Sequence, residues 1–520
     1  MTRWLRTLVL VAVLPLLAHC ASAPRMDGIV ATYAVPPATH APLDQAVLRD
    51  LGRDPALSTV RLLENNALAF AYRAASAAAA ERTLDVQYYI WHEDLTGRLL
   101  AAELLRAAER GVRVRVLIDD LDARDKHESL AVTDLHPNIE VRLFNPFYSR
   151  AGLWGWASEW VLRASRLNHR MHNKSWIADN RIAIIGGRNI GDEYFGASPH
   201  SNFADLDVAL TGAVVAEVSG QFDDYWNSTN AVPIDRFDVR KPKQKDLEAL
   251  ILRARQYRED VADTPYVRAL RDVQSRTQLL ADAPEALHVT DVRLLVDDPS
   301  KVGGKRGIDG SKVLAGLERA MATARREVLI ISPYFVPGQE GAARLVRDVE
   351  QGLRVAVLTN SLAATDVAAV HVGYARVRRQ LARGGVELYE MKRKAASPDG
   401  RSQLSVTGSS GASLHSKAVL IDDRWVYVGS MNLDPRSAIL NTEMGVLVES
   451  PELAAQLRAQ WDLITSPELS YRVVLEPDGE LVWYDRVGGR ERRSQHEPDA
   501  STLRRIGVTL LRLVPIDSQL

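Results

Sequence analysis

One five-member pattern occurs twice in this 520-residue chain, and its repetition limits the folds open to it. His172-Asn173-Lys174 leads to Asp179 and then to Gly186-Gly187-Arg188-Asn189. His415-Ser416-Lys417 leads to Asp422 and then to Gly429-Ser430-Met431-Asn432. The His, Lys, Asp and Asn of the first copy each lie 243 residues before their counterparts in the second. Both copies read H-x-K-x4-D-x6-G-x-x-N. One H-x-K-x4-D is a weak signal in a chain of this length. Two copies at the same offset for every member imply an internal duplication.

The flanking sequence repeats too. A helix is expected from about Arg61 through Ala77 to Ala80, because alanine favours helix intrinsically. A strand follows over Thr83 to Ile90, then a helix over Leu99 to Arg110 closed by Gly111, and strands over Val112 to Ile118 and Asn138 to Phe144. The second half offers a helix over Ser311 to Arg325 and a strand over Val328 to Ser332. A helix over Gly341 to Gln351 closed by Gly352 comes next, then strands over Leu353 to Thr359 and Gly384 to Tyr389. Alternating helix and strand in two units of roughly 200 residues argues an α/β fold with a helix-flanked sheet in each half. The halves are expected over residues 61–243 and 291–475. A charged helical segment, 244–290, joins them, and an appendage covers 476–520. Within the appendage, Leu503 to Val514 carries apolar positions beside Arg504, Arg505 and Arg512. It reads either as a basic amphipathic helix at a membrane or as a helix packed on the body.

The spacing within each motif has a chemical meaning. His and Lys two residues apart point to one side of an extended strand. Val419-Leu420-Ile421 forms the strand body, Asp422-Asp423 the turn, and Trp425 to Val428 the returning strand, which brings Asn432 back beside His415 and Lys417. Two halves packed about a pseudo-two-fold axis would present a pair of each group. Such a set suits a phosphodiester. Lys174, Lys417, Asn189 and Asn432 can bind the phosphoryl oxygens. One histidine can attack phosphorus and the other can serve as acid and then base. No metal-ligand spacing is visible, and no cofactor is implied.

Composition excludes some classes. Apolar residues make up 46% and charged residues 25% of the chain, as in ordinary globular proteins. The 66 acidic residues balance the 65 basic ones, which argues against a nucleic-acid partner. The sole cysteine, Cys20, excludes an intramolecular disulfide. Arg3 and Arg6 precede the apolar run Leu8 to Leu17, about half the ~20 residues that a spanning helix needs, so this segment reads as an export signal. Leu17-Ala18-His19-Cys20 is similar to a bacterial lipobox, with His19 in place of the usual small residue, and makes Cys20 a candidate for lipidation. Cleavage after Ala21-Ser22-Ala23 is the alternative, with Pro24 following the cut. Residues 21–60, rich in Pro and Ala, read as a tether. With no Asp after Cys20, the expected location is the cell envelope, lipid-anchored and facing the periplasm, at the outer rather than the inner membrane.

The paired motifs resemble those of the phospholipase D superfamily. Arg170-Met171-His172-Asn173-Lys174-Ser175 and Gly186 to Phe195 are similar to the C-type bacterial cardiolipin synthases. So are Gly429-Ser430-Met431-Asn432-Leu433-Asp434-Pro435-Arg436-Ser437, Asn441-Thr442-Glu443, and Thr359 to Val367. The resemblance covers roughly residues 55 to 520. It implies a duplicated phospholipase D fold, two α/β sandwich halves sharing one active site. It further implies phospholipid substrates, with phosphatidylglycerol as acceptor and phosphatidylethanolamine as a possible substrate. Asp179 and Asp422 enter the candidate catalytic set with the other motif residues. By resemblance His172 should pair with Glu443 and His415 with Asp205, with Glu193 and Asp207 as competitors, and His172 should be the nucleophile. Gly187 departs from the G-S-x-N pattern and leaves the halves chemically unequal. The tryptophan-rich stretch Leu153 to Trp160, with Trp154, Trp156 and Trp160, is a candidate lipid-facing lip or else ordinary core. Hydrolytic phospholipase D, a nuclease of the same superfamily and a non-enzymatic lipid-binding lipoprotein are the competing readings.

Overall fold

The computed structural model describes residues 24–38, 40–51, 54, 56–149, 159, 163, 166–237, 241–277, 286–303, 310–393 and 412–511. Cys20, the export signal and Trp154, Trp156 and Trp160 lie outside the described residues.

Among the described residues, the duplication appears as two large mixed sheets. The first runs in the order Leu287–Val289, Ser58–Leu63, Asp207–Gly212, Ile182–Gly186, Ser175–Ala178, Thr83–Tyr88, Arg113–Asp119, Ile139–Phe144, Ala231–Pro233. The second runs Val292–Val296, Met444–Glu449, Trp425–Gly429, Ala418–Ile421, Glu327–Ile331, Arg354–Asn360, Glu387–Met391, Ser470–Leu475, Leu481–Val487, Arg490–Ser494. From Ser58–Leu63 onward the first order matches the second strand for strand up to Ser470–Leu475. Three successive strands of each repeat are parallel, and all of them except Glu387–Met391 are buried along almost their whole length. Parallel strands covered on both faces need such continuous apolar runs.

Pleating divides the core into layers. Along Ser175–Ala178, Trp176 and Ala178 join the cluster under the outer helices of the first half, while Ile177 faces the other way into a central cluster. That central cluster draws Val208 and Leu210 from one sheet and Val426, Val428, Val446 and Val448 from the other. The helices Ala213–Trp226 and Pro451–Ile464 contribute Phe222, Trp226, Leu457 and Trp461 to it. The two halves therefore share one apolar interior and meet face to face.

Three sequence expectations change. The stretch expected to start a helix at Arg61 is the strand Ser58–Leu63, buried at every position, and the helix begins at Asn66. The Asn65 side chain accepts the Leu68 N–H and so fixes that start. Strands Leu481–Val487 and Arg490–Ser494 extend the second sheet, so the C-terminal segment continues that half instead of standing apart. The connecting segment forms two helices, Gln244–Asp260 and Pro265–Thr277, and then Leu287–Val289, which closes the edge of the first sheet. The helix Thr502–Leu511 is docked through Val508 onto Leu362, Ala363 and Val372, with Leu503 and Ile506 exposed.

Candidate active site

Each motif folds as a hairpin for local reasons. Asp179 and Asn180, and likewise Asp422 and Asp423, have positive φ. Two left-handed residues in succession make the tight turn that suits strand twist, and Asp and Asn tolerate that backbone. The turn sits at one end of the hairpin and the His-Lys pair at the other. This arrangement removes Asp179 and Asp422 from the catalytic set. Asp179 accepts the backbone N–H groups of Glu81, Arg82 and Thr83. Asp422 does the same for Arg325, Arg326 and Glu327. Each carboxylate fastens the hairpin turn to the start of the neighbouring antiparallel strand. Asp179→Ala removes a buried acceptor from three backbone donors, of which the Thr83 N–H is buried, and is expected to cost about 1–3 kcal/mol of stability. Denaturant melts measure it. Folding unchanged with turnover lost would return Asp179 to the chemistry.

At the other end the halves interlock. The His172 N–H donates to the Thr442 carbonyl at 2.9 Å, and the His415 N–H donates to the Ala204 carbonyl at 2.8 Å. Residues Ala412–Leu414 pair in parallel with Asn202–Ala204, and Met171 bridges to Thr442. Each histidine is thereby stitched to the residue just before a carboxylate of the opposite half. His172 Nδ1 lies 2.8 Å from Glu443 Oε2, and His415 Nδ1 lies 2.6 Å from Asp205 Oδ2. The two competing acids are engaged elsewhere. Glu193 faces His92 at 3.2 Å, and Asp207 is held by Arg73 and Arg188.

The two centres differ in chemistry. Ser430 Oγ donates to Glu443 and accepts the Met444 N–H at 3.0 Å. Its counterpart Gly187 carries no side chain, and a Cβ there would collide with the Asp205 carboxylate. The shorter acid lies closer to the backbone, so glycine is required where the longer acid permits serine. Asn189 donates to Tyr194 at 3.0 Å and accepts the Ile90 N–H at 3.2 Å, whereas the buried Oδ1 of Asn432 has no hydrogen-bond partner among the described residues. That oxygen is an acceptor and suits a hydroxyl donor, so Asn432 would reach a phosphoryl oxygen only through its Nδ2–H groups. Sequence reading missed the aromatic walls. Tyr89 packs edge-on against His172 at 5.3 Å, and Tyr194 and Phe203 pack against His415 at 5.2 and 4.9 Å. No spacing rule connects them to the motifs; only an aromatic beside each strand end hinted at them.

Burial and crowded cations shape the charges. Burial, followed by the charges of Lys174, Lys417 and His415, holds His172 well below the ordinary imidazole range. Burial and Lys417 lower His415, with Asp205 pulling the other way. Burial pushes Lys174 down to about 7 and Lys417 down to about 8. Burial pushes Glu443 up to about 7, opposed by Lys174. For Asp205 burial raises the pKa, but His415, Lys417 and Arg188 outweigh it and hold the carboxyl below its usual range. The His415–Asp205 pair therefore favours charge separation more than the His172–Glu443 pair. Lys174 Nζ donates to the His172 carbonyl at 2.6 Å, and Lys417 Nζ lies 3.0 Å from His415 Nδ1. Both ammonium groups are folded back over their histidines.

Beside this centre, the ligand atoms of His92, Asp94 and Glu193 lie within 4.8 Å of one another. The Asp94 carboxylate is already occupied, accepting the Gly97 N–H at 3.0 Å and the Asp192 N–H at 2.7 Å.

The sequence profile of the family described as cardiolipin synthase, PLD-like domain, matches residues 75–226 and 317–464, one stretch in each half. Cardiolipin synthase C of Escherichia coli is 41% identical over 477 residues, covering 91% of this chain and 99% of that protein. Cardiolipin synthase B of the same species is 25% identical over 410 residues, covering 77% of this chain and 78% of that protein. The crystal structure of phosphatidylserine synthase from Haemophilus influenzae superposes with a TM-score of 0.57 at 16% identity, covering 92% of this chain and 99% of that one. That likeness concerns the fold. With two profile matches at the two interlocked motifs and a full-length relative, the chain belongs to the phospholipase D family as a cardiolipin synthase-like phosphatidyltransferase.

Proposed function

We propose that this site moves a phosphatidyl group from a donor phospholipid to the hydroxyl of phosphatidylglycerol or a related glycerol headgroup, through a phosphohistidine on His172. The observation that carries the reading is the pair of cross-half His–carboxylate contacts built around two buried lysines. His172, kept neutral by burial and neighbouring cations, attacks phosphorus with its Nε2 while Glu443 holds Nδ1. The bond from phosphorus to the donor headgroup oxygen breaks, and protonated His415, supported by Asp205, gives that oxygen its proton. Neutral His415 then takes the proton of the acceptor hydroxyl, whose oxygen attacks phosphorus as the His172–phosphorus bond breaks. Lys174, Lys417 and Asn432 bind the phosphoryl oxygens through both steps. Asn189, locked to Tyr194, keeps the first strand end in place.

Transfer and hydrolysis use the same intermediate and differ in which nucleophile reaches it. Crowded acceptor headgroups and thinner water at a membrane surface favour transfer. With vesicles rich in phosphatidylglycerol, mass spectrometry is expected to find cardiolipin in excess of phosphatidic acid, and detergent dilution should shift products toward phosphatidic acid. Dominant phosphatidic acid in undiluted vesicles would make the protein a phospholipase. Turnover of labelled DNA without turnover of lipid would make it a nuclease.

A membrane location is part of this reading. Among the described residues no helix is long and apolar enough to cross a membrane. Attachment is assigned to an acylated Cys20 following an export signal, with the protein facing the periplasm at the outer membrane. Metabolic labelling with a fatty-acid probe is expected to mark the wild type and not Cys20→Ser. Equal labelling of both removes the anchor.

A further inference from the structure

We propose that an apolar cleft in the first half holds one fatty acyl chain of the phospholipid substrate, an inference that rests on the phosphatidyl-transfer reading above. The cavity has a volume of about 620 Å³ and lies between the helices Leu95–Glu109 and His127–Thr133, under the helix Gln244–Asp260. Its size falls within the about 300–1,000 Å³ of sites that take small organic ligands. The inner wall is aliphatic, with Leu104, Leu105, Ile139 and Val141 below and Leu250 and Ala254 on the roof.

Why a space remains there follows from the roof. Gln244–Asp260 buries only Leu247 fully and leaves Leu252 64% exposed. It is held at its rim by charges and a stacked ring. Arg255 pairs with Glu109, Arg258 with Glu103 at 3.5 Å, and the Arg98 guanidinium stacks over Tyr257 at 5.4 Å. Small side chains, Ala101 and Ala254, stand where larger ones would fill the gap. The cleft is open to solvent on one side and keeps largely apolar surface in contact with water, which favours an apolar ligand. A nucleobase or sugar would find few hydrogen-bond partners on this wall, whereas an alkyl chain requires none.

Continuity with the active site identifies the chain as the substrate's. Tyr89 contacts His172, and the Ile90 N–H is held by Asn189. The next two residues, Trp91 and His92, border the cavity. Two extended residues span about 7 Å, so the edge of the cavity at Trp91 and His92 lies about that far along the chain from the residue that packs on His172. Arg98 and Lys126 stand at the same end. Lys126 is paired with Asp122, while Arg98 has no carboxylate at ion-pair distance among the described residues. A cation beside an aliphatic cleft complements an anionic phospholipid and not a neutral hydrocarbon.

The test fills the cleft and changes the chain length. Ala254→Phe and Ala101→Phe are compared with wild type on dioleoyl- and dihexanoyl-phosphatidylglycerol, with thermal melts to verify folding. Each variant is expected to lower kcat/KM for the dioleoyl lipid by on the order of tenfold, the equivalent of about two lost buried methylenes. The dihexanoyl lipid should be turned over at the wild-type rate. Equal loss on both lipids, or loss on neither, overturns the proposal. A palmitoyl phosphatidylglycerol carrying a diazirine at the chain end provides a readout that needs no turnover. After irradiation of the wild-type protein the label is expected in the peptides of Leu95–Glu109 or Gln244–Asp260, and labelling confined elsewhere overturns the acyl site. A label in the cleft without any lipid turnover would instead sink the transferase reading and leave the acyl site standing.

Discussion

His172→Asn is expected to remove phosphatidyl transfer by a factor on the order of 10⁴ or more, with the protein still folded. Both imidazoles carry a carboxylate of the opposite half behind Nδ1, Glu443 for His172 and Asp205 for His415, and His172 is assigned the attack because burial and the neighbouring cations keep it neutral. The effect should not be rescued by a better leaving group, because no bond to phosphorus forms in the first place. Acid quenching of wild type with phosphorus-labelled lipid should leave label on the peptide that contains His172, and label on the His415 peptide would reverse the two roles. The pH profile carries the same assignment. His415 must carry a proton for the first step, and burial with Lys417 lowers its pKa, so kcat/KM should begin to fall below the ordinary imidazole range and fall further as Lys174 and Lys417, pushed to about 7 and about 8 by burial, lose the charge that holds the phosphoryl oxygens. His172 must be neutral, and burial together with Lys174 keeps it so to pH values below the ordinary imidazole range, which moves the acid limb down. A bound anionic phosphodiester stabilises both ammonium groups, so the alkaline limb of kcat should lie above that of kcat/KM. Coincident limbs would mean that the lysines do not meet the phosphate.

The second large effect concerns the carboxylates. Asp205→Asn is expected to slow transfer from ordinary phospholipids by about 10²–10⁴-fold, because it removes the charge that supports protonated His415. Burial alone would raise the Asp205 pKa, but His415 and Lys417 hold it down, so it is ionised across the working range. Glu443, pushed up to about 7, is only partly ionised at neutral pH, so Glu443→Gln should cost less at pH 6 than at pH 8. A phosphatidyl ester of p-nitrophenol separates these roles. Its leaving group departs without a proton, so the Asp205→Asn rate should return toward wild type in the first step while His172→Asn stays inactive. If Asp205→Asn is equally slow with both leaving groups, Asp205 does not act through the acid.

Both effects show where local sequence stops and packing takes over. The hairpin turns and the His-Lys spacing were legible in the chain because each depends on neighbours within about ten residues, and the duplication because the same pattern recurs 243 residues on. Asp179-Asn180 and Asp422-Asp423 adopt left-handed turns for steric reasons that any short peptide would feel. Apolar alternation around Trp176 and Ile177 likewise states which face turns toward which layer. Arg61 to Leu63, expected to open the helix because of the alanine-rich stretch that follows, instead complete the strand Ser58–Leu63, where pairing with Asp207–Gly212 and Leu287–Val289 makes extended backbone the better choice.

What the tertiary structure decided is the partnership between distant groups. His172 and Glu443 are 271 residues apart and His415 and Asp205 are 210 apart, so no local preference joins them. Backbone bonds across the interface do, by placing each histidine next to the residue before its carboxylate. The same packing took Asp179 and Asp422 out of the chemistry, since a residue at the far end of a hairpin reaches backbone donors and not phosphate. It also made Gly187 a requirement, because the shorter Asp205 occupies the space that Glu443 leaves to Ser430 on the other side. Sequence determined the parts and their local shape through sterics and hydrophobic period. The interface between the halves decided which parts meet, because the desolvation that tunes their charges exists only once the two sheets close on each other.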